Sequence, residues 1–210
     1  VCVSSFGIRR LHRLRRLLGK RTASSASAAG VAINCFAPWL TAVLDSPAPV
    51  LQMPACDDAW APEAREHDVG RKCLEALLKT PARVRILTKS AEVVKDLDVA
   101  GADKKRVLVG ISTGIPGSRE DVAAAVEPNA SKISERLNAL KQAHDQGFPT
   151  YGMLCPCLPG IADSEAALTE MFKAVKVRGA EEIWLEPVNA RGRGLINTAE
   201  ALRIAGLKAE

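Results

Sequence analysis

From residue 50 onward, the chain alternates short apolar runs with longer segments in which apolar residues recur every three or four positions. Each run is followed by polar or turn-forming residues, which is typical of buried strands. The runs lie at residues 50–53, 84–87, 106–112, 149–154 and 182–185. The longer segments have the periodicity of helices that pack on one face. The pattern therefore predicts five strand–helix units.

The helices are predicted over residues 62–79, 91–97, 129–146, 164–177 and 197–204. Pro62 suits the first turn of a helix, and Asn197 with Glu200 has the spacing of a capping box. The apolar face of the fourth helix is predicted to consist of Leu168, Met171, Phe172 and Val175. Helices between successive strands imply a parallel sheet with right-handed crossovers, covered on both faces.

Two α/β architectures fit this alternation, an open doubly wound sheet and part of a (β/α) barrel. Both place function at the carboxyl ends of the strands. Polar residues do follow the predicted strands, at residues 56–58, 88–90, 112–114, 155–157 and 186–189. No Gly-x-Gly-x-x-Gly or Gly-x4-Gly-Lys-Ser/Thr motif follows a strand, which argues against nucleotide-phosphate sites of those types.

The net charge of +5 is unevenly distributed. Residues 1–44 contain seven Lys and Arg residues and no acid, so the remainder carries a net charge of −2. Three interpretations of residues 1–44 remain open: an organelle transit peptide, a mis-framed or degenerate segment, and a solvated basic arm able to bind nucleic acid. The chain begins with Val, so its true start is expected to lie upstream. Residues 45–210 form the predicted α/β domain.

Composition is that of a soluble globular protein, with 47% hydrophobic and 25% charged residues. No apolar run is long enough to cross a membrane, so we expect no membrane partner. Six cysteines, at positions 2, 35, 56, 73, 155 and 157, lack the arrangement of a secreted disulfide framework. A reducing, cytoplasmic location is predicted, or an organellar one if residues 1–44 are a transit peptide. Cys73 is predicted to be a core residue, in phase with Val69 and Leu77.

Five motifs occur in a consistent order along residues 48–195. They are Asp58-x-x-x-Pro62-Glu63 with residues 70–75; residues 86–90 with 95–97; residues 109–112 with Glu127-Pro128 and Arg136-Leu137; residues 153–163; and residues 186–192. Together they resemble the radical S-adenosylmethionine superfamily, specifically its spore photoproduct lyase-like branch. The resemblance implies a partial (β/α) barrel of about five units that uses S-adenosylmethionine and a 4Fe–4S cluster for radical chemistry. By analogy it also implies a DNA lesion as substrate.

The resemblance also assigns site residues. Lys89, Ser90, Ser112 and Arg136 would bind the cofactor, and Asp58, Asn189 and Arg191 would face the substrate. Structural alternatives stand beside these roles. Ser90 has the position of a helix N-cap, and Arg136 with Glu127 can form a structural salt bridge.

The chain departs from the family at the iron–sulfur cluster, because it contains no Cys-x3-Cys-x2-Cys motif. A cluster needs thiolates close enough to hold one cube of iron and sulfur. The remaining candidates for such a set are Cys35, Cys56, Cys155 and Cys157. The alternative function is therefore a truncated or degenerate, non-catalytic half barrel. Its exposed sheet edge would favour association, although the sequence does not fix an oligomeric state.

Overall fold

The computed structural model describes residues 50–53, 58–188 and 193–207, so the predicted segment 1–44 lies outside the described residues. Its strands are β1 (Val50–Gln52), β2 (Arg83–Thr88), β3 (Val107–Ser112), β4 (Thr150–Cys157) and β5 (Glu182–Pro187). All neighbouring pairs are parallel, and the spatial order β1-β2-β3-β4-β5 is the order along the chain. All five predicted strands are present, with ends shifted by up to three residues.

The sequential strand order distinguishes between the two architectures. A doubly wound sheet reverses its strand order at a switch point, whereas a barrel adds each new strand beside the last. The fold is therefore part of a (β/α) barrel, as predicted. Within the described residues, β1 and β5 each pair with one neighbour only.

Helices follow the strands along the chain. They are α1 (Pro62–Arg65), α2 (Val69–Leu78), a 3₁₀ helix (Ala91–Ala100), α3 (Glu120–Val126), α4 (Ile133–Asp145), α5 (Glu165–Lys176) and α6 (Gly194–Ile204). Of these, α2, α4 and α5 pack directly against the sheet. Alternate strand residues such as Val84, Ile86 and Val109 form the core with Leu74 and Leu140 of the helices. In the part of the chain described here, no helix has the length and apolar character to cross a membrane.

The predicted helix over residues 62–79 is wrong as a single element, because the chain breaks at Asp68 (φ 52°) into α1 and α2. Trp60 explains the break. Its ring packs so closely on Gly70 that a Cβ there would lie 2.5 Å from the ring. Its indole Nε1 donates a hydrogen bond of 2.9 Å to Asp96. The chain must turn between the two helices to let the ring lie over the start of α2.

Three other predictions need correction. The last helix begins at Gly194, with Arg193 as its N-cap, so Asn197 lies inside it and no capping box forms. Its Glu200 pairs instead with Arg203 in the same helix. Phe172 does not belong to the core, because 51% of it is exposed. Helix α3 was not predicted, since its run of alanines has no apolar periodicity.

Candidate functional site

The carboxyl end of β2 is held by one carboxylate. The hydroxyl of Thr88 donates to Asp58, 2.6 Å from Oδ2, and the backbone N–H of Lys89 donates to the same oxygen over 2.7 Å. The N–H of Trp60 donates to Oδ1 over 3.0 Å. Asp58, predicted to face the substrate, thus accepts hydrogen bonds from Thr88, Lys89 and Trp60. These bonds fix the position of the Lys89 backbone at the end of β2.

Beyond β2, two cations share one carboxylate. Lys89 Nζ pairs with Oε1 of Glu127, and Arg136 Nη2 lies 2.7 Å from Oε2 of the same side chain. The predicted salt bridge between Glu127 and Arg136 is therefore present. Side-chain exposure falls along the series, from 30% for Lys89 through 10% for Glu127 to 2% for Arg136. Arg136 thus neutralises Glu127 inside the protein, and Lys89 is the one of these three residues whose side chain reaches the surface.

Arg136 is fixed by backbone carbonyls as well as by Glu127. Its Nε donates to Ser131 O over 2.6 Å, and its Nη1 donates to Ser112 O over 3.3 Å. Ser131 also ties the loop before α4 to the end of β2. Its N–H donates to Lys89 O over 3.1 Å, and its hydroxyl accepts from Ala91 N over 2.8 Å. Ser131 was not predicted as a site residue, because the sequence pattern placed it inside a helix over residues 129–146, whereas α4 begins at Ile133.

The two predicted serines are both buried and engaged. Ser90 is 7% exposed, and its hydroxyl accepts from Glu92 N over 3.3 Å, which confirms the alternative that it caps the following helix. Ser112 is 5% exposed, and its hydroxyl donates to Cys155 O over 2.8 Å. The structure therefore brings Lys89, Ser90, Ser112 and Arg136 to one edge of the sheet. Only the first of these four side chains is substantially exposed.

The ends of β4 and β5 supply thiols and a carboxylate. Cys155 Sγ lies 3.8 Å from Oε2 of Glu186, whereas the Cys157 thiol lies 3.4 Å from the carbonyl oxygen of Leu154. Burial raises the pKa of the Cys155 thiol, the carboxylate of Glu186 raises it further, and the ammonium of Lys89 opposes them. Both thiols are therefore disposed to stay protonated at neutral pH, since burial also raises the pKa of Cys157.

The described cysteines do not fit an iron–sulfur cluster. Cys73 lies on α2, away from the strand ends, and burial raises the pKa of its thiol to about 11. Cys155 and Cys157 face different partners, and no group of three His, Cys, Asp or Glu side chains suited to a metal occurs within residues 50–53, 58–188 and 193–207. Cys35 and Cys56, as well as Asn189 and Arg191, lie outside the described residues.

Comparison with known proteins yields distant relatives. No family model matches the chain. An uncharacterised protein of the Acidianus two-tailed virus is 26% identical over 149 residues, which cover 70% of this chain and 48% of the viral protein. An uncharacterised protein of Methanocaldococcus jannaschii is 27% identical over 120 residues, covering 57% of this chain and 45% of the archaeal one. The chain thus spans about half the length of the curated relatives it matches.

Among solved structures the chain is similar to spore photoproduct lyase. The lyase with bound S-adenosylmethionine and dinucleoside spore photoproduct matches at 16% identity and a TM-score of 0.58, over 85% of this chain and 53% of the lyase. The lyase complexed with dinucleoside spore photoproduct matches at 15% identity and a TM-score of 0.57, over 94% and 58% of the two chains. At these identities the likeness establishes the fold alone, part of a (β/α) barrel like that of the lyase.

Proposed function

We propose that this chain binds S-adenosylmethionine at the carboxyl edge of its sheet, as part of a radical enzyme resembling spore photoproduct lyase. The observation that carries the proposal is the charge arrangement around Glu127. Two cations, Lys89 and Arg136, share that one carboxylate, which leaves one positive charge without a counter-charge inside the group. A buried or half-buried excess charge is costly unless it is paired, so a ligand anion would stabilise it.

Lys89 is the residue that would receive that anion, because it is the exposed member of the group. The carboxylate of the methionyl part of S-adenosylmethionine is such an anion, and a charge-assisted hydrogen bond to an ammonium is among the stronger polar contacts. Ser90, Ser112 and Arg136 would support the site by holding the loop and strand ends that carry Lys89. Asp58 would do the same from the other side through the backbone of Lys89.

S-adenosylmethionine bound beside a reducing 4Fe–4S cluster would supply radical chemistry, the abstraction of hydrogen from a substrate. The described cysteines do not fit that cluster, so no step of the chemistry is assigned to them. The role of the described chain in this proposal is to hold and orient the cofactor. A nucleic-acid lesion as substrate rests on the likeness to the lyase, whose solved complexes contain dinucleoside spore photoproduct.

A second candidate is a non-catalytic barrel that keeps the cofactor site and lacks the cluster. The observation in its favour is that Cys73, Cys155 and Cys157 do not converge in the described part of the chain. Anaerobic reconstitution with iron and sulfide distinguishes the two. About four irons per chain, with absorbance that bleaches on reduction, would support the enzyme. A colourless, iron-free protein that still binds S-adenosylmethionine would support the barrel alone.

The cofactor site itself is tested by isothermal titration of the full chain with S-adenosylmethionine. We expect saturable binding by the wild type and roughly tenfold or greater weakening in Lys89→Met, the loss of one charge-assisted contact. Lys95→Met is the matched control, because Lys95 is a surface lysine that pairs with Glu92 on the following helix. Wild-type protein that does not bind, or equal weakening in both variants, would contradict the proposal.

A further inference from the structure

The inner face of the sheet, opposite the helices, carries a stack of side chains that the proposed function does not use. It begins at Gly110 of β3, which pairs with Tyr151 of β4. A Cβ at Gly110 would lie 2.0 Å from the ring of Tyr151, so the ring lies across β3 only because that position has no side chain. The phenol reaches β2 and donates to Ile86 O over 2.9 Å.

Arg85 of β2 is the next side chain of the stack and contacts two aromatic rings. Its guanidinium carbon lies 4.4 Å from the centroid of the Tyr151 ring and 5.3 Å from the centroid of a Trp184 ring. Both distances are in the range of cation–π contacts. The stack is held in place at its outer end, because Trp184 Nε1 donates to Glu182 over 3.1 Å. Tyr151 is fully buried, whereas 50% of Trp184 is exposed.

One donor of Arg85, its Nε, is unused in this stack. Burial raises the pKa of Tyr151, and a hydrogen bond from the Arg85 side chain to the phenol opposes that rise. A guanidinium has five N–H donors arranged in one plane. Within the described residues, Arg85 Nε is buried without a hydrogen-bond partner, and no carboxylate lies within ion-pairing distance of the side chain. Glu182, the acid nearest to Trp184 in sequence, is engaged with the indole. Two aromatic rings contact the cation, and neither one offers its donors a carboxylate or carbonyl acceptor.

We propose that Arg85 is an oxyanion-binding site on the inner face of the barrel, which takes the phosphate or carboxylate group of a small ligand in the plane of its guanidinium. Guanidinium groups bind both anions through two parallel hydrogen bonds, and a fork already held between two rings loses little further freedom on binding. The exposed surface of Trp184 leaves a route to the site. The inference is tested separately from binding of S-adenosylmethionine, because Arg85 lies within β2, whereas Lys89 follows the strand, four residues further along the chain.

The probes are inorganic phosphate and benzoate, titrated into the full chain at constant ionic strength while tryptophan fluorescence is recorded. We expect at least one probe to change the fluorescence in a saturable way. If Trp184→Phe abolishes that change, Trp184 is the residue that reports binding. If only phosphate saturates the signal, the ligand of Arg85 carries a phosphoryl group. If only benzoate does, the ligand carries a carboxylate. A response to neither probe, or an equal response to chloride, would overturn the proposal.

Two variants and one control locate the binding residue. Arg85→Gln should weaken binding by roughly tenfold or more, the loss of a bidentate charge-assisted contact. Arg85→Lys retains the charge without the fork and should weaken binding by several-fold, which keeps the test decisive if Arg85→Gln does not fold. Arg83→Gln removes an exposed charge two residues away on the same face of β2 and should bind within about twofold of wild type. Equal weakening by Arg83→Gln and Arg85→Gln would show a diffuse electrostatic effect and refute the site.

Discussion

The β2 side and the β5 side of the sheet differ in how firmly their side chains are held. At the end of β2, Asp58, Glu127 and Arg136 hold Lys89 through hydrogen bonds and ion pairs, and most of these groups are buried. At β5 the side chains are open, with Trp184 and Leu185 each about half exposed. The first side is built to fix the position of one cation. The second leaves apolar side chains exposed on both faces of β5, which within the described residues pairs with β4 alone.

The difference suits the two regions to different roles, the β2 side to orienting a charged ligand and the β5 side to access or packing. A group that must orient a charged ligand needs neighbours that lock its position, because loosely held charges are screened and mobile. An open strand face provides access to the inner surface or a place for another element to pack. The predictions below test whether the β2 side is in fact rigid and energetically important and the β5 side is not.

The largest effect is expected from Arg136→Met. Removing this cation leaves the carboxylate of Glu127 buried with only Lys89 as its partner, and breaking a buried ion pair costs about 3–5 kcal/mol of unfolding free energy. Urea unfolding measures the change. The control is Arg203→Ala, which removes an exposed pair with Glu200 and should change the unfolding free energy far less than Arg136→Met does. Similar values for both variants would mean that the β2 side is not specially stabilised.

Asp58→Ala should have the next largest effect. It leaves the N–H of Lys89 and the hydroxyl of Thr88 without their acceptor, and lost hydrogen bonds to a charged group destabilise by about 2–3 kcal/mol. Thermal or urea unfolding tests this. Asp98→Ala, which removes an exposed partner of Arg71, is the matched control and should lower the unfolding free energy far less than Asp58→Ala does. If Asp58→Ala lowers the unfolding free energy no more than the control does, Asp58 does not hold the end of β2 in place.

Leu185→Ala probes the open side. Because about half of Leu185 is exposed, we expect its truncation to cost less than about 1.5 kcal/mol of unfolding free energy. Truncation of the fully buried Ile111 of β3 by Ile111→Ala should cost about 2–5 kcal/mol. Unfolding free energies of the two variants give the comparison. A Leu185→Ala loss as large as that of Ile111→Ala would show that β5 is covered in solution, for example by association between copies of the chain.

The smallest effect concerns Cys155. The negative charge of Glu186 helps to raise the pKa of its thiol, so Glu186→Gln should lower that pKa and increase the thiolate fraction at pH 8. The rate of iodoacetamide labelling at Cys155, followed by peptide mass spectrometry, should rise a few-fold. Glu182→Gln, on the same strand, should leave the rate unchanged. An unchanged rate in Glu186→Gln would mean that the two side chains do not interact in solution.

Much of the fold was accessible from the sequence because buried parallel strands are continuously apolar. All five strands were predicted, and the polar residues expected at the ends of β2, β3 and β4 do lie at one edge of the sheet. The choice between an open sheet and a barrel depended on strand order, which local patterns do not encode. The break at Asp68 was missed for a similar reason, since it depends on contact between Trp60 and Gly70 and on the bond from Trp60 to Asp96.

The sequence indicated which residues would lie near one another at the candidate site, but not which of them pair with each other or how deeply each is buried. Lys89, Ser90, Ser112 and Arg136 do lie together, yet the sequence could not indicate that Arg136 is almost completely buried. The stack around Arg85 was missed altogether. It depends on the register that places Gly110 beside Tyr151, and no local pattern specifies which residues face each other across strands.

The central claim is that Lys89 receives the carboxylate of S-adenosylmethionine, and the most direct test compares two ligands. Lys89→Met and the wild-type chain are each titrated with S-adenosylmethionine and with 5′-methylthioadenosine, which lacks the amino acid group. The account predicts that the substitution weakens the first ligand roughly tenfold or more and leaves the second unchanged. Equal weakening of both ligands, or no effect on S-adenosylmethionine, would contradict it.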